Sequence, residues 1–219
     1  MENVKTFNNQ SVREEIANAI THGVGTLLAI AGTAVLVVRA ALHSSAIGVV
    51  SAALYGASMI LLYLFSTLYH SLTPYRAKRV FQVFDHCSIF LLILGTYIPI
   101  CLTLIGGWMG WTMFGVIAAC AVTGITLNAV NLHRWHKMSL VLYVVMGWIS
   151  LLSLKWLLAA APLSGLLIFL VGGGALYTAG IKFYRDDKHK FAHTLWHLFV
   201  LAGTVMHYFF ILLYVYPVA

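Results

Sequence analysis

Residues 46–69 read AIGVVSAALYGASMILLYLFSTLY, a run without one charged side chain. A helix needs about 20 predominantly apolar residues to cross the hydrocarbon core of a bilayer, so this stretch is long enough to span. It shows none of the apolar-polar alternation of a membrane barrel strand. Six more runs of similar character flank it, roughly 20–42 before it and 83–105, 108–130, 139–160, 163–183 and 193–216 after it. The expected fold is an all-α integral membrane protein, a seven-transmembrane helix bundle. It forms a single domain over 1–219, with 1–19 as an N-terminal segment.

The composition of the rest agrees with that run. Of 219 residues, 61% are apolar and 9% charged, against roughly 25% charged in a soluble domain. Mean hydropathy is +0.91. Thirteen Lys and Arg and six Asp and Glu are too few to coat a globule of this size. A soluble enzyme, a disordered chain and a nucleic-acid-binding domain are thereby excluded. Membrane lipid is the expected partner, and the inner (plasma) membrane the expected location. Cys87, Cys101 and Cys120 are an odd set without paired spacing, so neither a disulfide nor a thiol metal site is expected. The first twenty residues lack the basic-then-apolar layout of a cleaved signal peptide.

Basic residues set the orientation. With the N-terminus in the cytoplasm, Lys5, Arg13, Arg76, Lys78, Arg79, Arg134, Lys137, Lys182, Arg185, Lys188 and Lys190 fall inside. Only Arg39 and Lys155 fall toward the other side, a strong positive-inside bias that also accounts for the net charge of +7. Seven spans then place the C-terminus outside. Trp108, Trp111, Trp156, Tyr214 and Tyr216 sit near expected outer ends, as interfacial aromatics do. Gly172, Gly173 and Gly174 in mid-span read as close helix packing rather than a kink.

Ionisable residues inside a span are costly, and each is a functional hypothesis. His70 closes the second run, Asp85 opens the third, and His193 and His197 open the seventh. The topology brings all four to the cytoplasmic face. His193 and His197, in HTLWH, are an i, i+4 pair on one helix face. With His70 they offer three imidazole nitrogens and an open fourth position, the donor set of a catalytic zinc site. Asp85 is either a direct fourth ligand, closing the site, or a base beside the water of an open one. Ser66, one turn before His70, is placed to hold that water or a substrate carbonyl. Glu15, Asn18 and His22 share a face of the first helix and are expected to brace the site by hydrogen bonds. His86, next to Asp85, is expected to point elsewhere on its helix. His207, about 15 Å further along the seventh helix, reads as a separate internal hydrogen-bonding residue. His43, His133, His136 and His189 read as solvated interfacial groups.

At these residues the chain resembles the haemolysin III-type members of the progestin and adipoQ receptor family. The matching pieces are EIANAITH at 15–22, STLYH at 66–70, FDHCSIFLLILGTYIP at 84–99 and HTLWH at 193–197. The resemblance implies a seven-helix bundle with its N-terminus inside and zinc near the cytoplasmic leaflet. It implies that His70, His193 and His197 bind the metal and that Asp85 hydrogen-bonds the metal-bound water. The family is similar to the alkaline ceramidases, which cleave lipid amides. Three functions follow as expectations: a zinc-dependent hydrolase of a lipid amide or ester, a receptor or regulator of membrane state with structural zinc, and a pore. The pore ranks last, because the sequence has neither a toxin-like amphipathic segment nor a polar channel-lining stripe.

Overall fold

The computed structural model describes residues 10–186 and 188–217. Lys5 and the first part of the N-terminal segment lie outside them. Helix α1 (Val12–His43) starts eight residues before its apolar run, because Ser11 and Glu14 form a capping box. Their side chains satisfy backbone donors that the first turn leaves free. Helices α2 (Ala46–Ser71) and α3 (Tyr75–Pro99) follow, and α3 continues through a π-helical turn, Ile100–Ile105. Gly106 and Gly107, at φ 63° and 54°, make the tight turn into α4 (Gly107–Trp148). A 3-10 turn at Ile149–Ser153 leads to α5 (Leu154–Ala160), then α6 (Leu163–Gly165), a π-helical turn at Leu166–Val171, and α7 (Gly172–Tyr184). Last comes α8 (Ala192–Phe210), with a π-helical turn at Ile211–Val215.

Among the described residues, six helical stretches are long and apolar enough to cross a membrane: Val12–His43, Ala46–Ser71, Tyr75–Ile105, Gly107–Ala160, Leu163–Tyr184 and Ala192–Val215. The all-helical architecture is that of a membrane bundle, where every backbone donor and acceptor must be satisfied within its own segment. Its lipid-facing surface is apolar; Val24, Leu27, Leu28, Val35 and Val38 of α1 all point outward.

The fourth stretch corrects the expected division at 130 and 139. Helix runs through the whole of α4, interrupted only at Asn131, whose φ of −160° and ψ of 91° are non-helical. The Asn131 side chain then accepts the N–H of Arg134 at 3.0 Å, capping a second arm that starts at once without a loop. The arms fold back on each other. Ser139 donates to Asn128 Oδ1 at 2.6 Å, although eleven residues of straight helix would separate them by about 16 Å. The rings of Trp108 and Trp156, at the two far ends, meet at 5.9 Å. The returning arm packs on α3, where Tyr143 donates to the His86 carbonyl at 2.8 Å and Tyr97 to the Met146 carbonyl at 2.8 Å.

Buried hydroxyls tie the other side. Tyr63 of α2 and Tyr177 of α7 both bond Thr204 of α8, each at 2.7 Å. Of the three mid-span glycines, Gly173 shows the close packing expected. A Cβ there would lie 2.4 Å from Cδ2 of His207. Gly173→Val is therefore expected to destabilise the protein by about 1–3 kcal/mol through overpacking, seen as a lower midpoint in thermal or denaturant unfolding.

At the end of the bundle away from His70, Arg39 donates to the Tyr216 carbonyl at 2.6 Å and Tyr216 donates to the Gly48 carbonyl at 2.8 Å. At the opposite end the last turn of α2 and the first turns of α1, α3 and α8 meet. That meeting creates the site.

Candidate metal centre

His70 occupies the last turn of α2 and is buried. Its Nδ1 lies 2.7 Å from Glu15 Oε2. A carboxylate only accepts, so Nδ1 carries the proton and Nε2 keeps a lone pair. Nε2 is buried and has no hydrogen-bond partner among the described residues. The other Glu15 oxygen is 3.0 Å from Lys78 Nζ. Lys78 also donates to the Tyr69 carbonyl at 3.1 Å and lies 4.9 Å above the Tyr69 ring.

His197 is oriented in the same way from α1. Its Nδ1 is 3.3 Å from the Asn18 carbonyl and 3.3 Å from Thr21 Oγ1. The Thr21 hydroxyl already donates to the carbonyls of Ala17 and Asn18, so it receives the His197 proton, and Nε2 is again the free lone pair. The Asn18 amide oxygen also accepts from Thr194. His193 is half-buried one turn before His197, with the two rings 4.7 Å apart. Each of His70, His193 and His197 offers a nitrogen, and the three lie within 4.8 Å of one another. A tetrahedral ion with bonds of about 2.0–2.1 Å holds its ligands about 3.4 Å apart. Closing by at most about 1.4 Å brings the trio to bonding distance. An orphaned buried nitrogen, fixed tautomers and an all-imidazole donor set all fit a metal ion such as zinc.

Glu15 and Asn18 thus do brace the trio by hydrogen bonds. His22 does not: neither ring nitrogen has a hydrogen-bond partner among the described residues. It stacks instead on His197, with centroids 3.6 Å apart and planes 9° apart. Ser66, Asp85, His22, His193 and His197 line one cavity of about 30 Å³, room for a water or an ion. Ser66 Oγ is fully buried there without a partner. Asp85 lies outside the group of three nitrogens but on the wall of the same cavity. The expectation for His86 is corrected. It lines this cavity too, because its Nδ1 is drawn to the Gln82 carbonyl at 2.8 Å, leaving it 3.7 Å from Asp85 Oδ2.

Lys78 was read only as an orienting charge, and Thr21 and Thr194 went unread in the sequence. Lys78 carried a signal, since it precedes Asp85 by seven residues, two turns on the same face of α3. A further tie joins Glu14, whose Oε1 accepts the Phe191 N–H at 2.8 Å. Phe191, at φ 60°, is the left-handed residue that starts α8. In the α7–α8 connection, the N–H groups of His189 and Lys188 bond the Asp186 carboxylate and hold its carboxyl below the usual range.

A larger apolar cavity of about 120 Å³ adjoins the small one. Leu62, Ile89, Trp196 and Val200 line both. It runs between α3, the second arm of α4, α7 and α8, as far as His207.

Carboxylate or carbonyl partners of metal-bound imidazoles typically contribute 10–100-fold in affinity. Glu15→Gln, which keeps shape but loses charge, is expected to weaken zinc binding by about that factor, measured by competition with a chromophoric chelator. Unchanged affinity would show that Glu15 merely neutralises Lys78.

Comparison with known proteins bears on this geometry. Residues 10–208 match the family model described as Haemolysin-III related. The chain is 42% identical over 210 residues to "Hemolysin-3" of Bacillus cereus, covering 96% of this chain and 95% of the relative. It is 41% identical over 205 residues to "Hemolysin-3 homolog" of Bacillus subtilis (strain 168), covering 93% and 95%. At 26% identity over 217 residues it is similar to the human "Monocyte to macrophage differentiation factor", covering 93% of this chain and 85% of that one.

Proposed function

The chain belongs to the haemolysin III-related family, and from that premise we propose that it is a zinc-dependent hydrolase of a membrane-lipid amide or ester. The observation that carries this reading is the junction of two cavities. A three-histidine group, two of its members buried, with Ser66 and Asp85 beside it, shares four wall residues with an apolar space of about 120 Å³, suited to an acyl chain. Read as two crossings, the arms on either side of Asn131 in the Gly107–Ala160 stretch would bring the six long apolar stretches to seven spans. The basic residues orient the site end toward the cytoplasm of a plasma-membrane protein.

His70, His193 and His197 would hold the ion, with Glu15, Asn18 and Thr21 fixing the rings of His70 and His197. When bound, zinc polarises a carbonyl and lowers the pKa of water. Asp85 would take the water's proton on its carboxylate as that water attacks the lipid carbonyl, and return it to the departing amine or alcohol as the C–N or C–O bond breaks, leaving the fatty acid. Ser66 Oγ–H, with no protein partner, donates to the oxygen on which charge develops. The apolar walls orient the chain and exclude bulk water.

Lipid profiling of cells making the wild type or His193→Ala is the test. At least one lipid amide or ester is expected to accumulate in the variant, with its fatty acid product falling. Identical profiles overturn the hydrolase reading.

One observation favours a second reading. The trio and its braces join α1, α2, α3 and α8 at one end of the bundle, as a structural staple would. In that reading zinc fixes one arrangement of a receptor or regulator of membrane state. The pore implied by the relatives' printed names finds no support in the apolar lining of the larger cavity.

A further inference from the structure

The apolar cavity carries a polar group on its wall. His207 lines it, ten residues beyond His197 and so about 15 Å further along the helix. The ring rests against Gly173, where a Cβ would come within 2.5 Å of Nε2. Nε2 itself lies 3.1 Å from the carbonyl of Leu170, within the π-helical turn that precedes α7. A carbonyl accepts, so Nε2 carries the proton. In a neutral imidazole Nδ1 is then an acceptor. No carboxylate is among the contacts of His207, and Nδ1 has no hydrogen-bond partner among the described residues.

Several other polar groups on this wall are engaged. Tyr177 bonds Thr204, and Tyr97 donates to Met146 O while accepting from Ser150 N. Tyr143 donates to His86 O, and Thr178 donates to Gly174 O while accepting from Trp148. His207 lines this apolar space, and its Nδ1 is left as an acceptor without a partner among the described residues. Leaving such a group unpaired against a hydrocarbon chain is costly, and a donor on the chain removes that cost.

We infer that His207 selects acyl chains bearing a hydroxyl about 15 Å from the histidine trio, its Nδ1 accepting the O–H. The preferred ligand class is a hydroxylated fatty acyl lipid, gripped at the histidine trio and at His207. The inference rests on the lipid-hydrolase reading and adds a specificity to it.

The test is calorimetric titration of the zinc-loaded protein in detergent with two probe series of rising chain length, ω-hydroxy fatty acids and the matched unsubstituted acids. In the wild type the hydroxy acid is expected to bind about tenfold tighter over one narrow range of length, the worth of one buried hydrogen bond. His207→Leu is expected to lose that preference while keeping its affinity for the unsubstituted acid, which also reports an intact fold. His207→Gln, able to donate to Leu170 and still accept, is expected to retain it. Equal binding of the two series by the wild type at every length overturns the inference, as does an unaltered preference in His207→Leu. Both outcomes leave the lipid site standing. Failure of both series to bind the wild type overturns the lipid-site reading and the inference with it.

Discussion

The His197→Ala protein, purified from zinc-supplemented cells and desalted, is expected to carry less than about a tenth of the zinc held by the wild type. Two nitrogens without a third make a weak site, and removing this imidazole also opens space beside His22, which stacks on it. The loss extends to stability. An ion bound far below its free concentration stabilises the folded protein by RT ln(1 + [L]/Kd), about 4 kcal/mol at a thousandfold excess over Kd. Chelation should therefore lower the unfolding midpoint of the wild type and leave that of His197→Ala unmoved. His70→Ala should behave in the same way. Elemental analysis and thermal unfolding with and without chelator make the measurement. Full zinc occupancy in either variant would place the metal elsewhere.

Asp85→Asn separates the two proposed functions. Asn keeps the size and one accepting oxygen of Asp but cannot take up a proton at neutral pH. If Asp85 is the base, zinc content should stay near that of the wild type while turnover of the lipid identified by profiling falls about 10²–10⁴-fold. The placement of Asp85 on the cavity wall, outside the three-nitrogen group, is why metal retention is expected. If zinc is only a staple, the substitution should leave the protein's cellular effect intact. Loss of zinc in Asp85→Asn would make Asp85 a ligand and close the fourth position.

The trio was legible before any coordinates, because i, i+4 spacing and the alternation of spans leave few ways to place His70, His193 and His197 other than together. Glu15 and Asn18 were legible for the same reason of shared face. The role of His22 was not: spacing gives direction, but whether an imidazole bonds or stacks depends on the ring it meets. His86 was misjudged on neighbouring position alone, and the pull of the Gln82 carbonyl turned it back into the cavity. The start of α1 was written in Ser11 and Glu14, although the apolar run begins only at residue 20. The hinge of α4 rests on the backbone of one residue, Asn131. Its polar neighbours read as a loop because their side chains are polar and mostly exposed, while their backbone is helical.

Glu15, Asn18 and Thr21 lie on the first helix and His193 and His197 on the last, and the Asn18–His197 bond closes a loop of 179 residues. A ribosome adding about 5–20 residues per second takes roughly 10–40 s to cover that distance. Through that interval Asn18 and Thr21 exist without the ring they orient. If the trio holds an ion, its capture would be the final event of biogenesis, and a chain released early or inserted one helix short would emerge without it. Occupancy of the centre would then report that synthesis and insertion ran to completion.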